Sequence, residues 1–117
     1  MPQSIAIDSV LNRVYMADNV YGVVYMFDAT TNALLQTLVP PSDPFTVAVN
    51  EKTHELVVSD GFETIYFYHA NHLVLDSQVK LTERNTFLYV AVNSTTNHCF
   101  AGVFPNNALA FIQGPAK

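Results

Sequence analysis

A single cysteine, Cys99, stands in the 117-residue chain, so no internal disulfide can form. A lone thiol suits a reducing compartment and is equally compatible with secretion. Cations are scarce as well. Arg13, Lys52, Lys80, Arg84 and Lys117 are the whole set, against ten acidic residues, for a formal charge of −5. Five scattered cations make no electrostatic footprint, which argues against nucleic acid or an anionic membrane as a partner. Glycine occurs four times, so no phosphate-cradling loop is available and neither a P-loop nor a dinucleotide fingerprint is present. Every apolar run is far shorter than the ~20 residues of a membrane span. No basic stretch followed by an apolar one opens the chain, so no signal peptide is expected and the compartment is left unassigned. Helical patterning is missing too. The best helical window, "NALLQTL" at 32–38, is short and runs into the Pro40-Pro41 pair.

What is present is β-forming and repetitive. Half of the residues are apolar and 13% are charged, which fits one packed domain and not a disordered chain. Residues 2–8 read "PQSIAID" and residues 44–50 read "PFTVAVN", the same pattern forty-two positions later. A third copy starts at Phe87. Ile5, Val47 and Val90 align, as do Ala6, Ala48 and Ala91, and then Asp8, Asn50 and Asn93. Further on, Val14, Leu56 and Cys99 share a column, and so do Ala17, Ser59 and Gly102; Asp18 meets Asp60. The units are 2–43, 44–86 and 87–117, the last incomplete. Each breaks into short β-rich runs between Asx, Gly and Thr clusters, eleven candidate strands in all.

A repeat near 42 residues with four strands is the pattern of a β-propeller blade. The expected fold is therefore all-β: an arc of about three antiparallel blades, the last lacking its fourth strand. "VVYMF" is apolar at every position and "TIYFY" at all but its first, as a sheet covered on both faces requires. The alanine column belongs where blades converge near the axis. The Asx column falls where a hairpin begins and suits an Asx turn. A β-sandwich is the alternative, though sandwich strands need not repeat in sequence. An isolated three-blade arc would leave two apolar sheet faces uncovered. The expected partners are therefore the remaining blades of a longer chain or further copies of this one.

"RVYMADN" at 13–19 and "GVVYMFDATTNALLQTL" at 22–38 resemble the repeat of the YVTN and NHL propeller families. The resemblance extends over nearly the whole chain. The second copy departs from it at His69, which stands where Asp28 does, and the third has Val103 in place of an Asp. The resemblance implies an architecture and little about activity, because propellers host many functions. Propeller lactonases hold a divalent ion near the loops after the second strands, and the resemblance extends that idea to Asp18 and Asp60 as oxygen ligands for Ca²⁺. The Glu, Asn and Asp set of those enzymes is not matched here.

Two functional readings follow. In the first, the chain is a non-enzymatic scaffold or binding module that presents loops to a protein or other ligand. Asp18, Asn19, Asp60, Phe62 and Glu63 are then the candidate binding residues, and no residue is catalytic. In the second, it is part of a metal-dependent hydrolase with Asp18 and Asp60 as ligands. Against the second stands ordinary turn chemistry, in which each Asp caps its own loop, "DNVYG" or "DGF". His69 and His72 have a His-x-x-His spacing, but they straddle a strand end and a turn, with no third ligand near in sequence. His54 and His98 read as turn histidines. Cys99 sits in a core column without a base and reads as a small buried hydrophobe. Asn93-Ser94-Thr95 is a glycosylation sequon, relevant if the protein is secreted. The fourteen Tyr and Phe residues read as packing between blades and not as a base-stacking platform.

Overall fold

The computed structural model describes residues 2–81, 87–104 and 108–113. Arg84, Lys117 and the last residues of the second and third repeat units lie outside them. Eleven strands follow one another: β1 (Pro2–Asp8), β2 (Arg13–Asp18), β3 (Val23–Asp28), β4 (Leu34–Leu38), β5 (Pro44–Asn50), β6 (Glu55–Asp60), β7 (Thr64–His69), β8 (Val74–Lys80), β9 (Phe87–Asn93), β10 (His98–Phe104) and β11 (Ala108–Gln113). They form three antiparallel sheets, β1-β2-β3-β4, β5-β6-β7-β8 and β9-β10-β11, in which every strand pairs with its neighbour in sequence. The fold is all-β, with no helix among the described residues. The window nearest to helical patterning is strand β4.

Local chemistry explains the hairpins. Each first hairpin opens on the Asx column. Asp8 Oδ1 accepts the N–H of Val10 and Leu11 at 2.9 and 3.0 Å, Asn50 Oδ1 those of Lys52 and Thr53, and Asn93 Oδ1 those of Thr95 and Thr96. The same turns close on a left-handed residue, Asn12, His54 or Asn97, each at φ 58°. The hairpins between third and fourth strands repeat this with Asn32 and Leu73. Asn tolerates that conformation; Leu73 is held in it by burial in the core. Proline leaves a second mark. β1 and β5 begin with Pro2 and Pro44, and their pairing with β2 and β6 slips within the first three residues. Proline has no N–H to give the ladder. β9 begins with Phe87 instead, and its pairing with β10 runs without a slip from Phe104↔Phe87 to His98↔Asn93.

The sheets stack face to face, and strand alternation supplies both faces of the middle one. Val58, Tyr66 and Tyr68 turn toward the first sheet and share a core with its Tyr15, Val24 and Met26. Their neighbours Val57, Ile65 and Phe67 turn the other way and pack with Cys99, Ala101 and Ile112 of the third sheet. Between sheets, contact runs from β1 and β2 to β5, and from β5 and β6 to β9. The sheets therefore meet at their first strands, while β8 is largely exposed along its length. Ala6 lies against the first core and Ala48 against the second; Ala91 is exposed on the far side of the third sheet.

Polar groups stitch the junctions at repeating positions. Val47 N–H donates to Ser4 Oγ (3.0 Å), and one sheet on, Val90 N–H donates to Thr46 Oγ1 (3.3 Å). Ser9 donates its N–H and its hydroxyl to the Glu51 carboxylate. Asn50 Nδ2 donates to Asn97 Oδ1 at 2.7 Å. Arg13 Nη1 donates to the Ala70 carbonyl at 2.9 Å. Large apolar side chains are exposed on the outer faces of the first and third sheets. Ile5 and Ile7 of the first sheet, and Tyr89, Leu109 and Phe111 of the third, are exposed.

Two expected outcomes follow from this packing. Phe67 is buried within the second core, so Phe67→Ala lowers the unfolding free energy by about 3–5 kcal/mol, read by urea denaturation. Glu51 is held below the usual carboxylate range by the N–H and hydroxyl of Ser9, and Asp28 by the N–H groups of Thr31 and Thr30. Both folded-state pKa values are depressed. Their contribution is therefore complete above the unfolded values of ~4.3 and ~3.9 and disappears as pH falls through the folded ones. The melting temperature drops as acid is added through that window. Glu51→Gln, which keeps an acceptor oxygen but no longer titrates, flattens the curve.

Candidate functional site

The loops after β2 and β6 occupy one end of the stack, because Asp18 pairs with Pro2 and Asp60 with Pro44 at the starts of β1 and β5. Both carboxylates are buried and serve their own turns. Asp18 Oδ1 accepts the N–H of Val20 (3.0 Å) and Tyr21 (3.1 Å). Asp60 Oδ1 accepts three, from Phe62 and Glu63 at 2.9 Å and Thr64 at 3.0 Å. A carboxylate that collects backbone N–H groups in this way acts as a loop anchor.

The β4–β5 connection, residues 39–43, lies between the two loops, bonded to one and in close approach to the other. Ser42 Oγ donates to Asp60 Oδ2 at 2.7 Å and lies 2.9 Å from the Tyr66 hydroxyl. On the other side, Asp43 Oδ1 occupies space beside Gly22, 2.7 Å from where a Cβ on that residue would stand. Gly22 has φ +70°, a conformation that glycine adopts without cost. The chain thus needs a glycine there twice over, for its backbone and for the neighbour it admits.

The other predicted site residues flank this core. Asn19 is half-buried at the turn. Phe62 and Tyr21 stand 55% and 75% exposed at the loop tips, with Val20 exposed beside Tyr21 and Val39 exposed at the start of the 39–43 connection. Glu63 turns away from the loop tip toward the last strand of its sheet. Its carboxylate lies 3.3 Å from Lys80 Nζ and its carbonyl accepts the N–H of Leu81. The structure therefore brings Asp18, Asp60, Phe62 and Tyr21 onto one linked rim, with Glu63 serving as its tie to β8. Gly22 falls within the Asp18–Gly22 loop expected from the sequence; Ser42, Asp43 and Tyr66 were not expected. The signal for Ser42 and Asp43 was a Ser-Asp pair enclosed by prolines in "PPSDP" at 40–44.

Metal chemistry gains little from this geometry. Asp60 spends both oxygens on protein donors, and no group of three His, Cys, Asp or Glu side chains arranged to hold a metal occurs among the described residues. His69 Nε2 lies 3.6 Å from Asp76 Oδ1 across the β7–β8 hairpin, and His72 is exposed. His98 packs edge-on against Phe111, ring centroids 4.8 Å apart. Burial, with a smaller contribution from the Glu55 charge, pushes the Cys99 thiol up to about 12. A thiol so protonated is no nucleophile at neutral pH. Asn93 is exposed on the first hairpin of the third sheet, its Oδ1 engaged in the turn.

No protein-family model matches the chain, and no curated protein matches it. Solved structures do match. One is a chain of Kuenenia stuttgartiensis hydrazine synthase, which aligns over 97% of this chain with a TM-score of 0.82 at 10% identity. The present chain spans 34% of that hydrazine synthase chain. A likeness at this identity is a likeness of fold alone.

The fastening of the rim has a measurable consequence. Ser42→Ala removes the hydroxyl bonded to a buried carboxylate, at a cost of about 1.5–3 kcal/mol. Hydrogen exchange should accelerate at the amides of Phe62, Glu63 and Thr64, whose acceptor is the same Asp60.

Proposed function

We propose that this chain is a three-blade segment of a β-propeller with repeats of the YVTN or NHL kind. It acts as a non-enzymatic scaffold and binds a protein ligand through the rim formed by Asp18–Gly22, the 39–43 connection and Asp60–Glu63. The propeller reading is supported by the convergence of the sheets on β1, β5 and β9 and by the middle sheet's two apolar faces. One observation carries the binding reading. The 39–43 connection lies between two separate loops, Ser42 bonded to Asp60 of one and Asp43 lying close against Gly22 of the other, and Tyr21 and Phe62 stand exposed on those loops. Aromatic anchors presented on a pre-organised backbone lose little entropy on binding, and they dominate the energetics of protein recognition. Lysine and arginine are absent from both loops, so the fitting ligand is an apolar or aromatic protein surface and not a polyanion.

The test starts from a displayed peptide library selected on the immobilised chain. Selected peptides are expected to lose affinity by roughly tenfold or more against the Tyr21→Ala/Phe62→Ala variant. Peptides that bind the variant as well as the parent would refute the rim. Calorimetric titration with Ca²⁺ addresses the metal-dependent hydrolase reading. No heat is expected from a site whose carboxylate oxygens are spent on protein donors, and a stoichiometric binding isotherm would revive Asp18 and Asp60 as ligands.

A further inference from the structure

Three of the rim carboxylates are engaged. Asp18 and Asp60 hold the N–H groups of their own turns, and Glu63 faces Lys80. Asp43 differs. It is exposed, and neither a hydrogen bond nor an ion pair reaches its carboxylate among the described residues. Its place is nonetheless fixed from both sides. Ser42 before it is bonded to Asp60, and Pro44 after it is buried as the first residue of β5. A residue that precedes proline is confined to extended backbone. The carboxylate is thereby held against Gly22, the neighbour of the exposed Tyr21. This exposure does not depend on what precedes β1 or follows β11. Further sheets would stack on the outer faces, whereas the rim lies across the strand ends. A connection entering β1 from such a sheet would reach Asp18 as Ser42 reaches Asp60, and beside that crossing Phe62 still stands exposed.

The reading of the rim as a protein-binding surface, on which this inference rests, places a demand on any ligand. A surface that closes over Tyr21 also covers the carboxylate beside it. A carboxylate taken from water without a partner is strongly unfavourable. The rim segments hold no lysine or arginine to supply one, and Lys80 is engaged with Glu63. The ligand must therefore bring the cation. We infer that the protein bound at the rim places an arginine against Asp43 and Tyr21. A guanidinium forks onto both oxygens of a carboxylate, and its flat face lies on an aromatic ring. A lysine ammonium is a compact, strongly hydrated point charge and matches neither surface as well. A neutral donor such as a hydroxyl bonds one oxygen and leaves the charge uncompensated. Asp18 and Asp60, at the roots of the two loops, add potential of the same sign.

The test uses the 117-residue chain and the peptides selected on it. Each peptide is resynthesised with citrulline for arginine, which keeps the shape and removes the charge. Selected peptides are expected to contain arginine, and citrulline is expected to weaken their binding to the wild type by roughly tenfold or more. Against Asp43→Asn, a variant of the same shape, the arginine and citrulline peptides are expected to bind alike, because the pair no longer forms. Affinity of the arginine peptides for the wild type falls as salt is raised. Asp43→Asn removes no bond found among the described residues, so an unchanged melting temperature should accompany it; Asp43→Ser replaces it if that variant fails to fold. Peptides that need Tyr21 and Phe62 but contain no arginine, or that tolerate citrulline, overturn the inference and leave the rim standing. A citrulline effect that persists against Asp43→Asn overturns it as well. Peptides indifferent to Tyr21→Ala/Phe62→Ala refute the rim itself, and the arginine falls with it.

Discussion

Every other feature of this molecule depends on sheets lying face to face with their first strands closest. Once that is required, the middle sheet has no solvent side. Neighbouring residues on one strand must then be apolar in opposite directions, which is why Val57 and Val58 belong to different cores and Phe67 and Tyr68 do likewise. β6 is buried along its entire length. Such a strand cannot use the ordinary alternation of apolar and polar residues. β7 beside it is nearly as enclosed, and there burial, with a smaller contribution from Tyr66, pushes the Tyr68 hydroxyl up to about 12.

Polar groups described at the junctions gather at strand ends and first-strand edges, and several answer a specific backbone demand. Ser4 and Thr46 sit where the next sheet's first strand offers an N–H. The Asx residues close hairpins, and in the second junction Asn50 reaches on to Asn97. Asp8 and His54 stand at the corresponding places of the first junction. There Asp8 Oδ2 and His54 Nδ1 are buried without a hydrogen-bond partner among the described residues. A pair of amides satisfies this position and an acid with an imidazole does not, a local cost of the kind a buried orphan oxygen carries.

Much of this could be read from the chain because the repeat exposes it three times. The hairpins opening at Asp8, Asn50 and Asn93 and the doubly apolar strands of the middle sheet follow from local chemistry seen in register. The rim was legible only in part. Asp18, Asp60 and Phe62 announce themselves as turn residues at equal positions, but Ser42 touches Asp60 across 18 residues of chain, and no local rule predicts that contact. Glu63 looked like a loop-tip acid, and its partner Lys80 lies on a strand whose register had to be known first. The proline slips at Pro2 and Pro44 were equally silent, since the same pattern reads as a plain strand start.

The rim itself is a consequence of the stacking. Each sheet starts at the convergent strand and ends at the far edge, so the chain leaving β4 must return across the whole sheet to begin β5. Three strand spacings of about 4.8 Å and one sheet spacing of about 10 Å put the two ends roughly 17 Å apart. From Leu38 to Pro44 the 39–43 connection makes six steps, about 20–22 Å when extended at about 3.3–3.6 Å each. It therefore has little slack and crosses one end of the stack, beside the β2–β3 loop of the sheet it leaves and the β6–β7 loop of the sheet it joins. That is where Asp43 meets Gly22 and Ser42 meets Asp60. At the opposite end no connection crosses among the described residues, and the hairpins there meet directly, as Ser9 meets Glu51 and Asn50 meets Asn97.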